Sequence, residues 1–66
     1  MEIQINGKTT EAPEGVTVAG LLEHLDIDPR RVAVEINLDV APKRTYEERV
    51  VVAGDQVEII GFVGGG

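Results

Sequence analysis

From residue 2 the chain alternates, with Glu2 and Gln4 polar, Ile3 and Ile5 apolar, and Asn6-Gly7 directly after. A period of two puts Ile3 and Ile5 on one face of a strand, and Asn-Gly is favoured in a two-residue hairpin turn, where positive φ is required. The pattern therefore predicts a hairpin. Its return strand, Lys8 to Glu11, is short and polar, as suits a sheet edge. Pro13-Glu14-Gly15 then marks a loop.

The period next changes to that of a helix. Val18, Leu21, Leu22 and Leu25 fall at i, i+3, i+4 and i+7 and form one apolar stripe, with Thr17 placed to cap the first turn. Gly20 within the stripe costs about 1 kcal/mol relative to alanine, a cost expected where something packs close. The helix should end between Asp26 and Pro29, because the residue before a proline is driven toward extended backbone. Val32 to Asn37 alternates again, with Val32, Val34 and Ile36 on one face and Ala33 and Glu35 on the other, as an interior strand would.

Leu38 to Arg49 has no steady period and reads as turns, with room for a short strand or a helical turn. Val50-Val51-Val52 predicts a further short strand, Gly54-Asp55 a turn, and Gln56 to Val63 the last strand. Strands and one helix in this order describe an α+β domain in which a mixed sheet carries one helix across one face. No repeat, linker or second domain interrupts the 66 residues. The chain divides into a folded domain, 1–63, and a glycine tail, 64–66.

One helix leaves the other sheet face open. Val57 and Ile59 would point inward with Ile3 and Ile5, which sends Ile60 and Phe62 to the open face as an apolar docking patch. A second reading stands beside this one. A bulge at Gly61 would reverse the facing of Phe62 and make Ile60 or Phe62 part of the core.

Composition narrows the chemistry. Twelve acidic residues against six basic ones give a formal charge of −6, which disfavours nucleic acid and anionic membranes as partners. Phe62 and Tyr46 are the only aromatic rings, so a base-stacking platform is missing. There is no cysteine, hence no disulfide, thiolate metal ligand or thiol nucleophile. Met1-Glu2-Ile3 lacks a signal-peptide start and no apolar run nears the ~18 residues of a membrane span, which reads as a cytoplasmic protein.

The side chains offer no catalytic or metal constellation. His24 is the only histidine and belongs to the exposed side of the helix near its C-terminus. Asp26 and Asp28 read as turn residues rather than cation ligands, and Glu47-Glu48 as solvated charge. Arg30-Arg31 and Lys43-Arg44 read as ordinary exposed charge, though they could contact an acidic partner surface or an enzyme that accepts a group from this chain. The chain is not expected to be an enzyme.

Its ending is distinctive. Gly64-Gly65-Gly66 follows directly on the last strand, whereas glycine averages about 7% of residues. Glycines pass through a channel too narrow for any Cβ, and at ~3.5 Å per residue the stretch from Gly61 to Gly66 could carry a terminal carboxylate about 20 Å into a partner. A phosphate-cradling loop needs a helix after its glycines, and none follows. The tail is expected to be mobile in the free protein, because it has no side chains to bury.

Taken together, the opening Ile-Gln-Ile-Asn-Gly, Gly15-Val16-Thr17-Val18 before Leu21-Leu22, Ala33-Val34-Glu35-Ile36-Asn37 before Pro42 and Arg44, and Gly54-Asp55-Gln56-Val57-Glu58-Ile59-Ile60 before the glycines resemble the ThiS-type sulfur carriers of thiamine biosynthesis. These belong to the ubiquitin-like β-grasp proteins. The resemblance spans the whole chain and departs from the family in a third glycine, Gly64, where the family requires only the last two. It implies a β-grasp fold and a carrier that binds no cofactor itself. A ThiF-like adenylating enzyme, using ATP and magnesium, would activate the Gly66 carboxylate, and a sulfur donor protein would convert it to a thiocarboxylate. Thiazole synthase would then accept the sulfur. Gly64 and Gly65 would thread the tail into the partner, with Ile60 and Phe62 docking beside it. Two other destinations stay open: a carrier for molybdopterin synthesis or a ubiquitin-like modifier, and a non-covalent binding module with an inert tail.

Overall fold

The computed structural model describes residues 1–61. The elements are β1 (Glu2–Ile5), β2 (Lys8–Glu11), α1 (Val18–His24), β3 (Val32–Ile36), β4 (Asp39–Ala41) and β5 (Gln56–Gly61), with short 3-10 turns at Pro29–Arg31 and Lys43–Thr45. They form one sheet in the order β2-β1-β5-β3-β4. The last strand is thus the middle one. It runs parallel to β1 and antiparallel to β3, the mixed arrangement expected for a β-grasp domain.

Both hairpins close on residues in left-handed backbone. Asn6 and Gly7 have φ of 49° and 81° between β1 and β2, as the Asn-Gly pair requires. Asn37 and Leu38 have φ of 52° and 73° between β3 and β4, a turn that the pattern did not single out. Leucine carries a Cβ penalty there that glycine would avoid.

Helix α1 begins where Thr17 Oγ1 accepts the Gly20 N–H at 3.0 Å, which satisfies one of the orphan donors of the first turn. A Cβ added at Gly20 would stand 3.2 Å from Val16 Cγ2 and 3.3 Å from Thr17 Oγ1, so the glycine does mark a close approach. The helix stops earlier than the proline alone would dictate. Asp26 takes φ of 61°, its N–H donates to Glu23 O at 3.0 Å, and the Ile27 N–H reaches Leu22 O at 2.9 Å. These bonds satisfy the last carbonyls as a glycine cap would. Asp28, just before Pro29, is extended as expected.

Val18, Leu21 and Leu22 pack on Ile3, Val34, Ile36, Val51 and Val57, all nearly without solvent contact. Burying each such side chain contributes about 1.5–3 kcal/mol, which is how a domain this small holds together without disulfides. Tyr46 belongs to the same core. Burial pushes its hydroxyl pKa upward, partly countered by the nearby Val34 backbone, although no hydrogen bond of good geometry reaches the hydroxyl among the described residues.

The stretch Val50–Val52 corrects the sequence reading, because it is not a strand. Among the described residues its only ladder contact is an isolated bridge from Val50 to Thr17. The Val51 N–H donates to Val16 O at 2.8 Å and the Val52 N–H to Asp55 Oδ2 at 2.9 Å. With those groups bonded to the helix approach and to a carboxylate, the stretch adds no strand to the sheet. Among the described residues no helix is long and apolar enough to cross a membrane.

Candidate functional site

The end of β5 is the part of the fold that leads to the glycines. Pairing with β3 continues one to one through Ala33 opposite Ile60 and Val32 opposite Gly61. No bulge intervenes up to Gly61. On the other side the ladder with β1 runs only through Ile5 opposite Val57. Beyond it the Asn6 side chain takes over: Asn6 Oδ1 accepts the Ile59 N–H at 2.7 Å, and Asn6 Nδ2 donates to Ile59 O at 3.2 Å. The carboxamide extends the sheet by a step after its own backbone has turned away.

Asn37 does the matching work at the start of β5. Its Oδ1 accepts the Gln56 N–H at 2.9 Å, and its Nδ2 donates to Asp55 Oδ1 at 3.0 Å. Asp55 is buried and also accepts the Val52 N–H, so both carboxylate oxygens are engaged. These polar contacts fix both ends of the middle strand. The sequence reading gave Asp55 and Asn6 turn positions but missed the side-chain contacts of Asp55, Asn6 and Asn37; the repeated Ile-Asn at Ile5-Asn6 and Ile36-Asn37 is a signal for the two asparagines, and no pattern signals the Asp55 contacts.

Ile60 is 44% exposed and lies on the sheet face away from α1. Cross-strand partners share a face, so Ala33 stands beside Ile60, while Glu35 lies between Glu58 on β5 and Val40 on β4. Val40 is 67% exposed. The open face therefore combines an apolar patch with two facing carboxylates, and Ile60 lies on it as alternation predicts. Phe62, Gly64, Gly65 and Gly66 lie outside the described residues, as does the boundary between a domain at 1–63 and a tail at 64–66.

The other singled-out residues fall as follows. His24 is exposed in the last turn of α1. Asp26 and Asp28 are separated by function, one in the helix cap and the other capping the Pro29–Arg31 turn through the Arg30 N–H at 2.9 Å. Asp28 also holds the Arg30 guanidinium through two bonds, at 3.1 and 2.9 Å. These hydrogen bonds, and then the nearby charges of Arg30 and Arg31, lower the Asp28 pKa from an ordinary 3.8 to about 2. Glu47 and Glu48 are exposed.

Comparison with known proteins agrees with this geometry. A crystal structure of the thiamine biosynthesis protein ThiS from Geobacter metallireducens superposes with a TM-score of 0.87 at 33% identity, each chain covered in full. The sulfur carrier protein ThiS of Escherichia coli K12 is 32% identical over 66 residues, again over the full length of both. A thiazole synthase of Paramagnetospirillum magneticum is 44% identical over the same 66 residues, and the chain spans 20% of that longer protein. The ThiS family model matches residues 2–66, and the chain belongs to the ThiS family.

Proposed function

We propose that this protein is a sulfur carrier of thiamine biosynthesis that works through the carboxylate of Gly66. The observation that carries the reading is the middle strand β5, fixed on both sides and directed at the glycines, in a chain of the ThiS family. The relatives support the pathway: two are named ThiS, one of them as a sulfur carrier, and one is a thiazole synthase.

The chemistry follows from the group presented. A carboxylate oxygen is a poor leaving group, so the Gly66 carboxylate first attacks the α-phosphorus of ATP and pyrophosphate departs. A hydrosulfide-level sulfur nucleophile then adds to the acyl adenylate carbonyl, AMP leaves with the electron pair, and loss of a proton gives the thiocarboxylate. Its sulfur is far more nucleophilic than the original oxygen. Glycine at positions 64 to 66 keeps the approach to that carbonyl uncrowded. ATP, magnesium and the catalytic groups belong to a ThiF-like adenylating enzyme, while this chain contributes the docking surface and the arm. A sulfur donor protein charges it and thiazole synthase discharges it, in the cytoplasm.

Intact-mass measurement after incubation with the cognate adenylating enzyme, ATP and a sulfur source tests the reading. Replacing oxygen by sulfur adds about 16 Da, nominally the same as oxidation of Met1, so fragmentation must place the increment on Gly66. No increment there, with a partner active on another carrier, would leave the chain without this function.

A further inference from the structure

Eleven residues lie between the basic pairs Arg30-Arg31 and Lys43-Arg44, but the fold brings them together. Each pair lies in one of the two 3-10 turns, and Lys43 Nζ donates to Arg30 O at 3.2 Å. The place where they meet follows from the register. Arg31 directly precedes Val32, the residue opposite Gly61. Strand β4 runs antiparallel to β3 with Ala41 opposite Val34, so Pro42 and Lys43 leave the sheet at that same end. Four of the six basic residues of an acidic chain are therefore gathered where β5 ends at Gly61.

Their exposure suits recognition. Arg30, Arg31, Lys43 and Arg44 are all exposed, and a shallow groove lined by Arg30, Lys43, Arg44 and Glu47 runs between the turns. Asp28 neutralises Arg30, and Glu47 stands at the groove, yet neither Arg31 nor Arg44 has a salt bridge among the described residues. The rest of the molecule is strongly acidic, and its open sheet face carries Glu35 and Glu58. The charge distribution is thus polar along the sheet rather than uniform.

We propose that this basic collar docks on an acidic rim around the opening through which the adenylating enzyme receives the glycine terminus, with Arg31 and Arg44 as its principal contacts. The inference rests on the sulfur-carrier reading and adds to it the charge of the surface that the partner must present. Charge complementarity sets the partner's chemistry: this collar gathers four of the six basic residues of a chain of net charge −6, so an acidic surface is attracted there and repelled over most of the rest, which orients the encounter with the end of β5 foremost. The activating enzyme is taken as the occupant because adenylation of the Gly66 carboxylate is the first step of that reading, and loss of transfer at the acceptor is kept as a separate outcome of the test.

The test is pyrophosphate release by the cognate adenylating enzyme with ATP, titrating the full-length carrier at low and high salt. Arg31→Glu/Arg44→Glu is compared with Lys8→Glu/Arg49→Glu, which changes net charge equally outside the collar, and with Arg31→Gln/Arg44→Gln in case the reversal perturbs folding. The expected result is KM raised about tenfold or more at low salt for the collar reversal and less for the neutral pair. The difference should shrink at high salt, with kcat within about twofold and the control close to wild type. Equal KM values for collar and control variants would overturn the proposal, as would normal adenylation accompanied by lost sulfur transfer to thiazole synthase. A wild-type chain that releases no pyrophosphate with an enzyme active on another carrier would overturn the sulfur-carrier reading together with this inference; an active wild type with an indifferent collar would overturn the inference alone.

Discussion

Asn6 and Ile59, 53 positions apart, exchange a reciprocal pair of hydrogen bonds between one side-chain amide and one backbone residue. This contact joins the first turn of the chain to the strand that leads to the glycines. It explains how β5 stays ordered beyond the point where β1 has ended: Ile59 is held on one side by Asn6 and on the other by Val34. A single residue thus serves two purposes, since Asn6 also accepts the left-handed backbone that the hairpin needs.

The two roles can be separated by substitution. Asn6→Gly keeps the backbone and loses the two bonds, which should cost about 1–2 kcal/mol. Asn6→Ala loses the bonds and adds strain at positive φ, for a total of about 2–3 kcal/mol. Both variants should lower hydrogen-exchange protection at the Ile59 amide. Equal denaturant midpoints for the two would mean that the backbone term is negligible.

Leu38 is the opposite case, a residue whose conformation works against it. It has φ of 73° and is 83% exposed, so it pays the left-handed penalty with little burial in return. Leu38→Gly should stabilise the domain by about 0.5–1 kcal/mol, raising Tm by a few degrees, while leaving adenylation unchanged because the turn lies at the far end of β3 from Gly61. A lowered Tm would show that the leucine is held by contacts that the turn geometry does not reveal.

The same pair of turns shows what the sequence discloses. Asn6-Gly7 announces a hairpin because both residues suit positive φ, whereas Asn37-Leu38 builds a similar turn with a residue that does not advertise it. The strands β1, β3 and β5 and the stripe of α1 were legible because burial imposes a clear period on them, whereas β2, polar throughout, was legible only as the return from the Asn6-Gly7 turn. Val50–Val52 misled because three β-branched residues suit a strand, while the actual partners, Val16 O and the Asp55 carboxylate, are supplied by the tertiary fold. Ile60 could be placed by alternation alone. The basic collar could not, since its halves meet only through the antiparallel pairing of β3 with β4 and β5.

Asp28 sets a prediction in pH. Its folded pKa, about 2, lies below the ordinary 3.8, so the folded state binds its proton less readily than the unfolded state does. The resulting stabilisation is present in full above about pH 4 and is lost as pH falls through 3.8 toward 2. Carboxyl NMR titration should place the Asp28 midpoint near 2 in the wild type, and Arg30→Gln should move it back toward 3.8. Because the pair is exposed, the stability effect should be small and should weaken in salt. A midpoint unchanged by Arg30→Gln would assign the shift to backbone bonding alone.

Ile60 offers the sharpest separation of folding from docking. Its side chain stands on the open face beside Ala33, 44% exposed, while its neighbours Val57 and Ile59 face the core. Removing most of that side chain in Ile60→Ser should therefore cost the free domain less than about 1 kcal/mol, whereas a partner that covers the patch would lose apolar burial at the centre of an interface. The expected outcome is a Tm within a few degrees of wild type and affinity for the adenylating enzyme reduced about tenfold or more. Ile59→Ser supplies the contrast, because its half-buried side chain packs against the core and should lower Tm more than it lowers affinity in the folded fraction. If the two variants ranked in the opposite order, the open face would be supporting the fold rather than receiving a partner, and the docking surface would have to lie elsewhere.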